Sequence, residues 1–120
     1  MKKSIIITLF ISIFSLNTYA QDNLLGTWKT DTDNTLVKIE KQGNSIVGKV
    51  ISSDNKEAAP GTVIIKETKY EKGILSGQLY LFKKKRWFQT TFEVQGNKLK
   101  VTGKLSIMSH TVHWTKVTSK

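Results

Sequence analysis

Between Leu24 and Val117 the chain divides into eight short runs of β-branched and aromatic residues, separated by turn signals every 8–15 residues. No 3.6-residue apolar period persists over any useful length, which excludes a helical core. The runs predict strands over 24–31, 35–41, 45–52, 62–70, 74–82, 87–94, 98–105 and 108–117. The chain's single proline, Pro60, falls between two of them. Eight consecutive strands joined by short connections suit a small antiparallel up-and-down β-barrel. That all-β architecture closes on itself and leaves no unpaired edge to aggregate.

The connections agree. Gln42-Gly43-Asn44, Lys72-Gly73 and Gln95-Gly96-Asn97 each supply a residue that tolerates positive φ, as tight hairpins require. Each precedes a strand with an interior glycine, Gly48, Gly77 and Gly103. Such glycines mark bends or close backbone approaches, and the second reading is that they clear room for a ligand. Ser53–Gly61 is the longest connection, polar and then broken by Pro-Gly. It reads as a cap over the barrel mouth or as a plain connector.

Residues 1–20 read as a signal peptide. Lys2 and Lys3 form a basic start, Ile5–Leu16 an apolar core, and Thr18-Tyr19-Ala20 a small-x-small ending before Gln21. The apolar core is too short to span a bilayer comfortably, so an uncleaved anchor is the weaker alternative. The chain has no cysteine, which removes a lipid anchor, a disulfide framework and thiol chemistry together. The expected product is a single domain, 21–120, in the periplasm or outside the cell. Its seventeen basic and nine acidic side chains give a net charge of +8. That charge favours anionic partners, and export argues against nucleic acid.

Gly26-Thr27-Trp28 resembles the first-strand signature of lipocalins and related calycins. The resemblance implies that Trp28 closes one end of the barrel beneath a cation from the last strand. That strand reads His113-Trp114-Thr115-Lys116-Val117, making Lys116 the candidate cation and Trp114 a second closing side chain. A wider resemblance covers nearly all of the chain after residue 20. Val37-Lys38-Ile39-Glu40, Gly48-Lys49-Val50, Gly77-Gln78-Leu79-Tyr80, Asn97–Gly103 and Thr111–Val117 follow in the order and spacing of the exported bacterial "domain of unknown function 2147" family. This implies a lipocalin-like fold and an exported location but transfers no chemistry. The chain also departs from the family pattern. It has Leu81-Phe82 where Asp-Pro is common and Thr102 where arginine is common, lacks a second arginine near His110, and has no Cys-x-x-Cys segment after the third strand.

Lys83-Lys84-Lys85-Arg86-Trp87-Phe88 is the sharpest polar feature, four cations at a turn followed by two aromatics. Alternation sends one of Trp87 and Phe88 inward and the other outward. The cluster and Trp87 form a candidate contact for an anionic surface; the plainer reading is a solvated hairpin tip. Asp31-Thr32-Asp33-Asn34 begins like a calcium loop, but Leu36 and Gln42 stand where glycine and glutamate are needed. It is read as an Asx-stabilised turn. His110 and His113 are three apart on a strand, so they face opposite ways and cannot share a metal. No nucleophile, base and orienting acid come together in the sequence, so the chain reads as non-enzymatic and without a cofactor.

Val37 with Ile39, Val63 with Ile65, Leu79 with Leu81, and Leu99 with Val101 are placed on shared faces. Strands this short favour a mostly filled barrel with at most a shallow pocket at its mouth. The leading expectation is a monomeric binding protein for a small apolar or amphipathic anionic molecule, sited away from Trp28. The alternative is an envelope-associated protein that meets an anionic surface through Lys83–Arg86.

Overall fold

The computed structural model describes residues 23–105 and 107–118, so the export segment expected over 1–20 lies outside the described residues. Eight antiparallel strands form a closed barrel: β1 (Gly26–Lys29), β2 (Leu36–Gln42), β3 (Ser45–Ser52), β4 (Val63–Glu71), β5 (Ile74–Leu81), β6 (Arg86–Gln95), β7 (Lys98–Leu105) and β8 (Met108–Lys116). Each strand pairs with the next, and β8 returns to β1 through Trp28↔Lys116 and Lys29↔Thr115. The chain is therefore an all-β, up-and-down barrel.

This order sorts the connections into two ends. The N-terminal segment, the tight turns after β2, β4 and β6, and the chain after β8 gather at one end. The connections after β1, β3, β5 and β7 gather at the other. Left-handed backbone sits in all three tight turns, with Gly43 at φ 66°, Gly73 at 82° and Gly96 at 65°. After β4, Lys72 is also left-handed, as a type I′ hairpin requires at both central positions.

The core runs through the closed end and the middle of the barrel. Trp28, Val37, Ile39, Ile65, Leu75, Phe92 and Leu99 are each inaccessible to solvent. Two expectations need correction. The first strand covers only Gly26–Lys29, not 24–31. Gly26 turns the chain out of extended geometry at φ 126°, and Thr30 bonds across its loop to Thr35 instead of continuing a ladder. Nor does Val63 share the interior with Ile65. The β3–β4 register shifts between Gly48 and Lys49, so Ile64 and Ile65 are both buried and Val63 faces solvent.

The seams between strands are unequal. Strand β5 pairs with β6 from Ile74↔Glu93 to Leu81↔Arg86, and β7 pairs with β8 from Lys98↔Thr115 to Leu105↔Met108. By contrast, β3 meets β4 only at Gly48↔Ile65 and Lys49↔Val63. Farther along, Thr68 takes over the missing rungs: its hydroxyl donates to the Ile46 carbonyl at 2.6 Å and accepts from the Ile46 N–H at 3.3 Å. The β6–β7 ladder stops at Thr90↔Gly103, although both strands continue toward the second end.

Candidate functional site

The closed end is sealed by one arrangement. Trp28 is fully buried and its indole N–H donates to the Leu24 carbonyl at 2.9 Å, which folds the N-terminal segment beneath the ring. The Lys116 ammonium lies 4.7 Å from the centre of the Trp28 ring and donates to the carbonyls of Leu25 at 2.7 Å and Asn23 at 3.3 Å. Partial burial holds its pKa below the usual lysine value. Gly26 makes room for this cation, because a Cβ there would stand 2.8 Å from the Lys116 Nζ. Gly26, Trp28 and Lys116 therefore form one contact group. Trp114 does not join it: its ring packs against Phe92 at 6.0 Å and faces the opposite end of the interior.

At that opposite end the barrel is open. A cavity of about 460 Å³ enters the interior there, walled by Ile64, Leu79, Phe88, Val101, Val112 and Trp114. The expectation of a mostly filled barrel with a shallow pocket is thus corrected. Cross-strand partners share a face, and of the inward row Gly77–Thr90–Gly103–His110 the last three line this space. The glycines act differently. A Cβ on Gly77 would strike Thr68 and the Lys66 carbonyl, so Gly77 lets β4 approach. A Cβ on Gly103 would meet only the Thr90 hydroxyl oxygen at 3.6 Å, so Gly103 leaves its space to the cavity. Gly48 resembles Gly77, with Ile65 filling the position of its missing side chain.

The wall is apolar and its few polar groups are largely occupied. Thr90 is buried and donates to the Phe88 carbonyl at 2.9 Å, and Thr35 shares a 2.7 Å hydrogen bond with Ser53. Charge appears at the rim, where Asp31 and Asp33 come from the β1–β2 loop and Lys83 and Lys84 from the β5–β6 turn. In an eight-stranded ring those two connections stand across the mouth from one another. The acidic side is braced: Asn34 donates to Asp54 at 2.7 Å, and the Asp54 N–H donates to the Asp33 carbonyl at 2.9 Å. This ties the β1–β2 loop to the 53–62 connection, which is packed down through buried Ala58. The Asp31–Asn34 stretch is a turn, with Asp33 and Asn34 both left-handed.

Lys83, Lys84, Lys85 and Arg86 are all exposed at the open end. Phe88 faces inward and lines the cavity; Trp87 faces outward and is half-buried. The Lys66 ammonium covers the Trp87 ring at 4.2 Å, and Tyr80 meets its edge at 5.3 Å. His110 sits on the cavity rim and His113 on the outer face. Sequence reasoning missed the cavity itself, and it missed Ile107 and Met108 at the β7–β8 turn, 98% and 70% exposed. An isoleucine at a turn with no neighbouring Gly, Asn or Asp is the signal that would have found the second.

A family model described as "Uncharacterized protein conserved in bacteria (DUF2147)" matches residues 26–116. No curated protein and no solved structure matches the chain. The matched span begins at the glycine that admits Lys116 and ends at Lys116 itself, so it takes in all eight strands of this barrel. On that match, over about three quarters of its length, the chain belongs to the bacterial DUF2147 family.

Proposed function

We propose that this protein is an exported, non-enzymatic binding protein that takes a small apolar or amphipathic anionic molecule into the open end of its barrel. The observation that carries the reading is the 460 Å³ apolar cavity. Ligand sites are typically about 300–1,000 Å³, apolar, with a few placed polar groups. At roughly 30 Å³ per water-sized group, the space suits a ligand of on the order of fifteen such groups. An apolar body would lie against Leu79, Phe88, Val101 and Trp114, and an anionic end would reach Lys83 and Lys84 at the rim. Trp28 and Lys116 take no part beyond closing the far end.

Native mass spectrometry of protein purified from its own host tests this directly. A retained small molecule is expected, and Gly103→Leu should expel it while leaving the barrel folded, because the new side chain enters the cavity rather than a packed wall. Displacement of a bound anionic naphthalene-sulfonate dye gives a second readout, with weaker dye binding expected after Lys83→Gln and Lys84→Gln. Wild-type protein that carries nothing and binds the dye no better than Gly103→Leu would defeat the reading.

A further inference from the structure

The chain's charge is divided between two halves of the barrel. From Asn23 to Gly73 there are eight cationic and seven acidic side chains; from Ile74 to Thr118 there are eight cationic and one acidic, Glu93. Among the described residues all four salt bridges fall in the first half, at Lys38–Glu40, Lys49–Glu40, Lys66–Glu67 and Lys69–Glu71. Strands β5–β8 are consecutive in the ring, so the excess positive charge forms one continuous side of the molecule. Glu93 stands toward the closed end, beside the Gln95–Lys98 turn. The open end of β5–β8 therefore presents Lys83, Lys84, Lys85, Arg86 and Lys104 with no carboxylate among them.

The same quadrant carries the largest apolar exposure among the described residues. Ile107 and Met108 project from the β7–β8 turn with 98% and 70% of their surfaces in water. The remaining exposed large apolar side chains lie between 37% and 39%. Single exposed apolar residues are ordinary, but two in succession at a hairpin tip, beside cations with no carboxylate partner among the described residues, are not explained by folding. Turn positions favour Gly, Asn and Asp, and neither side chain contributes to the core.

We infer that the open end of β5–β8 docks on an anionic lipid surface, with Ile107 and Met108 entering the headgroup boundary and Lys83, Lys84, Lys85, Arg86 and Lys104 meeting the phosphates. A lipid surface is the partner that rewards both features at once. Anionic headgroups attract clustered lysines, and the boundary beneath them accepts short apolar side chains. A soluble polyanion would reward the cations and gain nothing from Ile107. The acidic connections holding Asp31, Asp33 and Asp54 lie on the other half of the mouth, so docking tilts the barrel and keeps them away from the surface. Trp87 supplies no tip contact, because Lys66 covers it.

The test is co-sedimentation of the purified protein with vesicles of phosphatidylethanolamine and phosphatidylglycerol, against vesicles of phosphatidylcholine alone. Binding is expected to the first and not the second, and to weaken steeply with added salt. Each juxtamembrane lysine contributes roughly fivefold, so Lys83→Gln, Lys84→Gln and Lys85→Gln together should weaken binding about a hundredfold and flatten its salt dependence. Ile107→Ser with Met108→Ser should weaken it at least tenfold with the salt dependence kept. Lys38→Gln with Lys41→Gln, on the first half, should change little. Equal binding to both vesicle types, or full binding by the Ile107→Ser, Met108→Ser protein, would overturn the inference. So would retention on dextran sulfate without vesicle binding, which would make the partner a soluble polyanion. Lys83 and Lys84 also stand at the cavity rim, whereas Ile107 and Met108 do not line it, so Ile107→Ser with Met108→Ser should lose docking and keep a bound ligand, and Gly103→Leu should lose the ligand and still dock.

Discussion

At Gly26, two requirements coincide on one atom. The φ of 126° is one that a side chain resists, and a Cβ would press on the Lys116 ammonium. Gly26→Ala should cost about 1–3 kcal/mol, read from urea midpoints. In a Lys116→Met background the collision is gone and the backbone strain remains, so the added cost should shrink without vanishing. Lys116→Met alone removes a cation from the Trp28 face and should cost about 1–2 kcal/mol. The neighbourhood of Trp28 and Lys116 was legible through the lipocalin resemblance, which implies a last-strand cation over the first-strand tryptophan, and Lys116 is the lysine that strand offers. The role of Gly26 was not legible, since it depends on where the Lys116 side chain lies. Titration gives a separate prediction. Burial raises the Tyr70 phenol above its ordinary 10.0, so the folded chain holds that proton more tightly than the unfolded chain. This contribution to stability is complete below pH 10 and is lost as pH rises through the folded value. Lys116 acts in the opposite sense, gaining stability as pH climbs toward 10.5 from below. Urea midpoints collected from about pH 9 to 12 should show the Tyr70 loss in the wild type and not in Tyr70→Phe.

Strand identity and order follow from the sequence because period-2 alternation and glycine turns are local signals. Register does not, and the irregularities on either side of β4, one against β3 and one against β5, show why. Glu67 is left-handed and the β4–β5 register shifts around it, which directs Thr68 toward Gly77 and the Ile46 backbone. No local rule announces that bulge, since its benefit lies in a strand 22 residues away. The short β3–β4 and β1–β8 ladders are the weak seams of the ring. Hydrogen exchange should therefore be fastest, among strand amides, along β1 and the facing parts of β3 and β4, and slowest in β5 and β6. Gly48→Ala tests the first seam. Its Cβ would lie 2.6–2.9 Å from Ile65 atoms, including the Ile65 Cβ, which no rotamer change can move. A loss of about 1–3 kcal/mol is expected; Ile65→Ala costs about 2–5 kcal/mol by itself, and the double variant should lose less than the two losses added together.

For the molecule as a whole, one end is built for stability and the other gives stability away. The space beside Gly103 could hold a side chain without collision, and leaving it empty forfeits packing. The Gly103→Leu protein should accordingly be more stable than the wild type, by about 0.5–2 kcal/mol in denaturant melts, while losing dye affinity. Fold class could be read from composition and spacing, but the cavity could not. Whether an eight-stranded ring is full depends on which small residues line up across it, and Thr90, Gly103 and His110 meet beside the cavity only once the ladders are set. The gap above Thr90↔Gly103 bears on the same space. Past that rung β6 and β7 run on unpaired, with Phe88 on one side of the gap and Leu105 on the other, both facing the cavity. The container is therefore slotted rather than cupped, and its volume limits what is enclosed without limiting what is held. Along a series of straight-chain ligands of increasing length, affinity should climb until the enclosed portion is full and then level off, the surplus chain trailing out between two strands.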